Sequence, residues 1–125
     1  MAYPDDRKYT KEHEWIKADG TVGITQYAQD SLGDIVFVEL PKVGTEITAK
    51  KSFGTVESVK AVSDLNAPAS GTVTAVNEEL TTEPEKVNKD AHSAWILKIK
   101  IKDPADLNSL LSAADYEKFI SEEKH

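Results

Sequence analysis

Between Asp34 and Ile101 the chain is a series of short runs of β-forming residues, separated by breaks rich in Gly, Pro, Asn and Asp. Asp34-Ile35-Val36-Phe37-Val38-Glu39-Leu40 is the most apolar run, and Pro41-Lys42-Val43-Gly44 turns the chain after it. Glu46-Ile47-Thr48 comes next, then Phe53 to Val59 and Ala61 to Leu65. Beyond the break at Asn66-Ala67-Pro68-Ala69-Ser70-Gly71, Thr72 to Val76 alternates polar and apolar, as a strand with one buried face does. Trp95 to Ile101 closes the series. Strands this short, with only brief helical pieces among them, predict a mainly β small barrel or sandwich and argue against an α/β sheet.

The flanks fit the same plan. Tyr9-Thr10 opens a strand-like segment that runs on through His13-Glu14-Trp15-Ile16-Lys17. Ala18-Asp19-Gly20 is a hairpin signal, with Thr21 to Ile24 as the return strand. Thr25 is placed to cap a short helix over 26–32, in which Ala28 and Leu32 share a face with Ile24, and Gly33 stops it. Glu78 to Asp90 is polar, with one helical turn predicted at Pro84-Glu85-Lys86-Val87. Ala105 to Leu111 predicts another turn, and Ser112 caps a C-terminal helix near 113–122 whose Tyr116, Phe119 and Ile120 form an apolar stripe. Val43 to Ala49 echoes Ala69 to Ala75 in a Gly-Thr…[Ile/Val]-Thr-Ala core, one copy on each side of residue 60. That placement predicts a two-fold barrel folded around a central hairpin. The length of 125 residues predicts one domain, 1–125, with its core over about 9–123.

At the centre of that hairpin stands Lys60, where the strand direction reverses. A lysine at such a tip is ordinarily only solvated, so competing chemistry decides how it is read. There is no cysteine, which removes disulfides, thiolate metal sites and Cys nucleophiles. His13, His92 and His125 have no metal-ligand spacing. The carboxylates Glu78, Glu79, Glu83 and Glu85 read as a solvated face, with nothing in their spacing to fix a catalytic pair. A net charge of −7 argues against nucleic acid; it fits partners with basic docking surfaces and equally fits a charge that only keeps the protein in solution. No apolar run reaches membrane-spanning length, and Met1 to Lys8 has the character of neither a secretory nor a transit signal. The expected location is a bacterial cytoplasm, or a mitochondrial matrix for a mature organellar form.

The order Val43-Gly44, hairpin, Ala67-Pro68, Gly71 and a β run resembles the lipoyl and biotinyl attachment domains, which present one modified lysine at a hairpin tip. Biotin carriers usually flank that lysine with methionines, whereas here Val59 and Ala61 flank it and the only methionine is Met1. Glu57-Ser58-Val59-Lys60-Ala61-Val62-Ser63-Asp64 resembles the signature of the glycine cleavage system H proteins. His13-Glu14-Trp15, Gly23-Ile24-Thr25, Leu32-Gly33-Asp34, Val36 to Pro41, Val76-Asn77 and Ser109-Leu110-Leu111 resemble segments of that family in the same order. The chain departs from the family's usual pattern in a short Asp19-Gly20 hairpin, in Asn66-Ala67 and in Ser93-Ala94.

The resemblance implies a barrel-sandwich hybrid: two small antiparallel sheets with a lipoyl-lysine hairpin. It implies a monomeric, non-catalytic carrier with lipoate on Lys60 through an amide, which would move the formal charge from −7 to −8. The implied partners are a pyridoxal-phosphate glycine decarboxylase (P protein), an aminomethyltransferase (T protein), dihydrolipoamide dehydrogenase (L protein) and a lipoylating enzyme. Glu57 is implied as the mark that the lipoylating enzyme recognises. Glu14, Leu32 and Asp64 are expected to form a cleft for the loaded arm, a carboxylate pairing its ammonium. Glu14 and Asp64 read equally well as surface or turn-stabilising residues, Asp64 by bonding its own turn. His13 reads as packed or solvated, and Trp15 and Trp95 as core, with Trp15 also compatible with a cleft wall. Two other functions compete: a relay passing lipoate to 2-oxoacid dehydrogenases, and an unmodified β-barrel interaction module.

Overall fold

A computed structural model describes residues 3–123; His125 lies outside them, as do Met1 and Ala2 of the leader reading. Nine strands among the described residues form two antiparallel sheets. The six-stranded sheet takes β1 (Arg7–Tyr9), β2 (Glu14–Lys17), β3 (Thr21–Ile24), β9 (Leu97–Ile101), β8 (Gly71–Val76) and β5 (Glu46–Ile47), in that spatial order. The three-stranded sheet takes β4 (Ile35–Glu39), β6 (Ser52–Ser58) and β7 (Val62–Asn66). Ile16, Val22, Val73, Leu97 and Ile99 from the first meet Ile35, Val38, Val56 and Leu65 from the second in one buried core. The two-sheet architecture is the one the sequence predicted.

The echoed segments turn out to be partners. Ile47 of β5 pairs with Gly71 of β8, and just outside the ladder the Gly44 N–H donates to the Val73 carbonyl at 2.8 Å. Everything between them, including the β6–β7 hairpin, is thus an excursion from a closed base.

Several local readings need correction. Tyr9 to Lys17 is a hairpin and not one strand. The Thr10 N–H donates to the Glu14 carbonyl at 2.9 Å, the Glu14 N–H donates to Thr10 Oγ1 at 3.0 Å, and His13 sits at φ +73°. β9 begins at Leu97, two residues after Trp95. The polar stretch after β8 holds two short helices, α2 (Glu79–Thr82) and α3 (Lys86–Lys89), where one turn was expected. Leu80 and Val87 are fully buried from them, while the four glutamates stay exposed. Trp15 is buried as expected and donates Nε1–H to the Ile24 carbonyl at 2.7 Å; Trp95 is only half-buried.

The first α-helix, α1 (Gln26–Leu32), starts where expected, and its Thr25 cap accepts the Ala28 N–H at 3.2 Å. The turn over 105–111 is a 3-10 helix, Pro104–Ser109. The C-terminal helix α4 (Ala113–Glu123) buries Tyr116 and Ile120 in a second cluster with Tyr9 and Trp15. In that cluster Tyr116 Oη lies 2.7 Å from His13 Nδ1 and 2.8 Å from Thr25 Oγ1, so His13 is packed.

Candidate functional site

Lys60 is exposed at the tip of the β6–β7 hairpin, in a three-residue connection with Val59 and Ala61. Ser58 builds that tip. Its N–H donates to the Ala61 carbonyl at 2.8 Å, and its buried Oγ accepts the N–H groups of Lys60 at 3.2 Å and Ala61 at 3.1 Å. One hydroxyl with two acceptor positions thereby fixes the backbone on both sides of the lysine. The Val59 N–H donates to the Asp34 carbonyl at 3.0 Å, which ties the tip to the α1–β4 connection. Asn88 clamps that connection in turn, donating Nδ2–H to the Gly33 carbonyl and accepting the Ile35 N–H, both at 2.8 Å.

Gly33 lies under the lysine. Its φ of +79° and ψ of −153° belong to a region that is nearly glycine's alone. A β-carbon there would come within 3.3 Å of Lys60 Cε. The bare backbone is therefore a cradle for the stem of this exposed lysine.

The other end of β7 meets a different group. The Asn66 N–H donates to Glu14 Oε2 at 3.1 Å, and the Thr10 hydroxyl donates to Glu14 Oε1 at 2.7 Å. Glu14 is 2% exposed. Burial raises its carboxyl from 4.5 to about 8, against the opposing pull of the Thr10 and Asn66 bonds. It lines a surface cleft of about 500 Å³ together with Lys50, Asn66, Pro68 and Leu111. Val62, Asp64 and Asn66 alternate onto one face of β7, so this face leads from beside Lys60 to the Glu14 cleft. The four steps from Val62 to Asn66, at about 3.4 Å each, make that path roughly 14 Å long.

Of the residues singled out from sequence, Asp64 lies on this path and Glu14 at its end, whereas Leu32 and Glu57 stand on α1 and β6. Leu32 ends α1 next to the Gly33 cradle, half-buried against the core. Asp64 is exposed midway along β7, opposite Thr55. Neither is among the residues lining the Glu14 cleft. Glu57 is exposed on β6 between Phe37 and Val62, three residues before the lysine.

Sequence reasoning missed Ser58, Asn88 and Thr10 as supports. Ser58 stood inside the quoted motif, and Thr10 lies four residues before Glu14. Asn88 had no signal, because its partners are more than 50 residues away. At Asn66 the backbone makes the bond to Glu14, so the departure there from the family's usual residue leaves this contact intact.

The family model described as glycine cleavage H-protein matches residues 7–123. The glycine cleavage system H protein of Koribacter versatilis is 73% identical, over 98% of each chain. That of Acidobacterium capsulatum is 67% identical, also over 98% of each. Among solved structures, the crystal structure of a glycine cleavage system H protein from Mycobacterium marinum superposes with a TM-score of 0.86 at 38% identity, covering 98% of this chain and 100% of that one. The chain belongs to the glycine cleavage H-protein family, the lipoyl carriers of that system, and is a carrier component and not a catalyst.

Proposed function

We propose that Lys60 is the attachment point and that its lipoyl arm carries the aminomethyl group of glycine from a pyridoxal-phosphate decarboxylase to an aminomethyltransferase, with dihydrolipoamide dehydrogenase restoring the disulfide. The observation that carries this is one exposed lysine on a hairpin tip held by Ser58, with its stem over the Gly33 backbone. The bound dithiolane supplies the sulfur chemistry. The chain's own residues position and shelter it.

The root is stiff, since Ser58, the Asp34 carbonyl and Asn88 hold both elements at the tip. Among the described residues no hydrogen bond or ion pair is made by the Lys60 ammonium, so an arm there can swing into a partner or fold back along β7. On the folded-back route Leu32 lies by the root, Asp64 on the path and Glu14 at the end. Glu14 is the group suited to receive an ammonium. Its carboxyl, raised by burial to about 8, holds its proton near neutrality. A cation brought beside it lowers its pKa, and the ionised carboxylate then pairs with the load. Glu57, exposed on the same hairpin, is proposed as the mark read by the lipoylating enzyme. The protein is proposed to act as a monomer in a bacterial cytoplasm. No described helix is long and apolar enough to cross a membrane.

Intact-mass analysis of protein from its native host tests the attachment. A lipoyl increment present in wild type and absent from Lys60→Arg supports it; an increment that persists in Lys60→Arg moves the site elsewhere. Glycine–bicarbonate exchange with the decarboxylase tests the cycle. A lipoylated chain inactive in that exchange would point to a relay role instead.

A further inference from the structure

Around the tip that bears Lys60 the surface is apolar without a structural need. Val36, Phe37, Val59 and Val62 are 51, 46, 67 and 66% exposed. Phe37, Glu57 and Val62 stand side by side across β4, β6 and β7. The register shift between Ile35 and Phe37 inserts Val36 as an extra residue, so that it and Phe37 both face solvent. Val59 adjoins the lysine and is pinned by its bond to the Asp34 carbonyl. The remaining large exposed hydrophobic among the described residues is Val43, beyond the opposite end of β4. Single exposed apolar residues are ordinary, but four gathered at one functional lysine mark an interaction site.

The two segments that carry the patch are predominantly acidic. Residues 33–39 and 55–65 build this end and carry four exposed carboxylates (Asp34, Glu39, Glu57 and Asp64) and one cation, Lys60 itself. An amide at Lys60 leaves those segments without positive charge. A second copy of the chain is a poor occupant, because the acidic segments of both, on bodies of charge −7, would face each other. An arm reaches a buried reaction centre only when the surface around its root meets the mouth of the channel leading there. We infer that the Phe37–Val59–Val62 patch is the seat for that mouth, and that the mouth it fits is apolar at its centre and ringed by Lys and Arg. The inference rests on Lys60 as the root of the arm.

The test removes the arm and keeps the surface. A Lys60→Gln chain, with the neutral charge of the amide, competes with lipoylated wild type in glycine–bicarbonate exchange catalysed by the decarboxylase, after mass spectrometry has verified that it carries no lipoyl increment. It is expected to inhibit, and less strongly as salt rises. Adding Phe37→Ser or Val62→Asp is expected to raise the inhibition constant about tenfold, as loss of a central apolar anchor does. Val43→Ser in the same background should leave it within about twofold, a difference too small for an anchor. No inhibition by Lys60→Gln, or equal inhibition by all of these chains, overturns the inference. A lipoyl increment persisting on Lys60→Gln instead overturns the root assignment, and the inference with it. The first failure is read in the exchange assay and the second in the mass, so they are told apart.

Discussion

Replacing Glu14 by glutamine separates the proton of this buried carboxyl from its shape. The folded chain raises the group to about 8, whereas the unfolded chain titrates it near its ordinary 4.5. Between those values the unfolded state gives up a proton that the folded state keeps. Stability from this group is therefore complete below pH 4.5 and falls as pH rises toward 8. At about 1.36 kcal/mol per pKa unit, moving from pH 5 to pH 8 weakens the wild-type fold by about 3–4 kcal/mol through Glu14 alone. Glutamine does not titrate. It offers one carbonyl to the two donors, Thr10 and the Asn66 N–H, so Glu14→Gln should lose about 1–3 kcal/mol at pH 5. Near pH 8 the substitution should be neutral or stabilising. Urea unfolding of both chains, followed by tryptophan fluorescence at half-unit pH steps, reads the difference directly, and His92 and every other titrating group cancel in it. A wild-type-minus-variant difference that stays flat within about 1 kcal/mol from pH 5 to 8 would refute the reasoning, because Glu14 would then be ionised in the fold.

Three further outcomes are expected. Glu57→Gln should slow lipoylation of Lys60 while leaving the unfolding midpoint unchanged, as measured by intact mass over time against a denaturation curve; full modification at the wild-type rate removes Glu57 as a recognition mark. Gly33→Ala should cost about 1–3 kcal/mol, because its backbone conformation is nearly glycine's alone and its β-carbon would press on the Lys60 stem. The same variant should lose lipoylation rate, whereas destabilisation with an unchanged rate would mean the cradle plays no part in presenting the lysine. Thr25→Ala removes the cap of α1 and a contact to the Tyr116 hydroxyl, and should lower stability by about 1–2 kcal/mol in chemical denaturation.

What could be read from sequence follows the range of the forces involved. The Lys60 hairpin was legible because two β runs and a reversal are local in the chain. Helix α1 was legible because Thr25 and Gly33 bracket it. The turn before Glu14 was not, since Thr10 to Lys17 consists of residues that tolerate a strand, and only the paired side-chain and backbone bonds of Thr10 bend it. Leu80 and Val87 were hidden as isolated apolar residues in a polar stretch without periodicity. The cleft was half legible. Glu14 was named as a candidate, but its Asn66 donor is 52 positions away and the Leu111 wall is further still, so nothing local joins them. Asp64 was grouped with Glu14 by nearness to Lys60 in the chain, whereas the pleat of β7 leaves it exposed partway along.

The pairing of β3 with β9 has a consequence for the order in which the molecule can be made. Thr21 meets Lys98 across 77 positions, whereas the widest rung of the β6–β7 hairpin, Ser52 with Asn66, spans 14. On the logarithmic scaling of loop closure, the long pairing forfeits about 1.5 kcal/mol more chain entropy than the short one. The strand pairing of the hairpin that offers the lysine needs only neighbours in sequence, while its tip is tied further to Asp34. The cleft proposed to shelter the load needs Tyr9 and Leu111 together, 102 positions apart. Closing the hairpin and closing the cleft thus differ about sevenfold in the length of chain that each must bring together, 14 positions against 102.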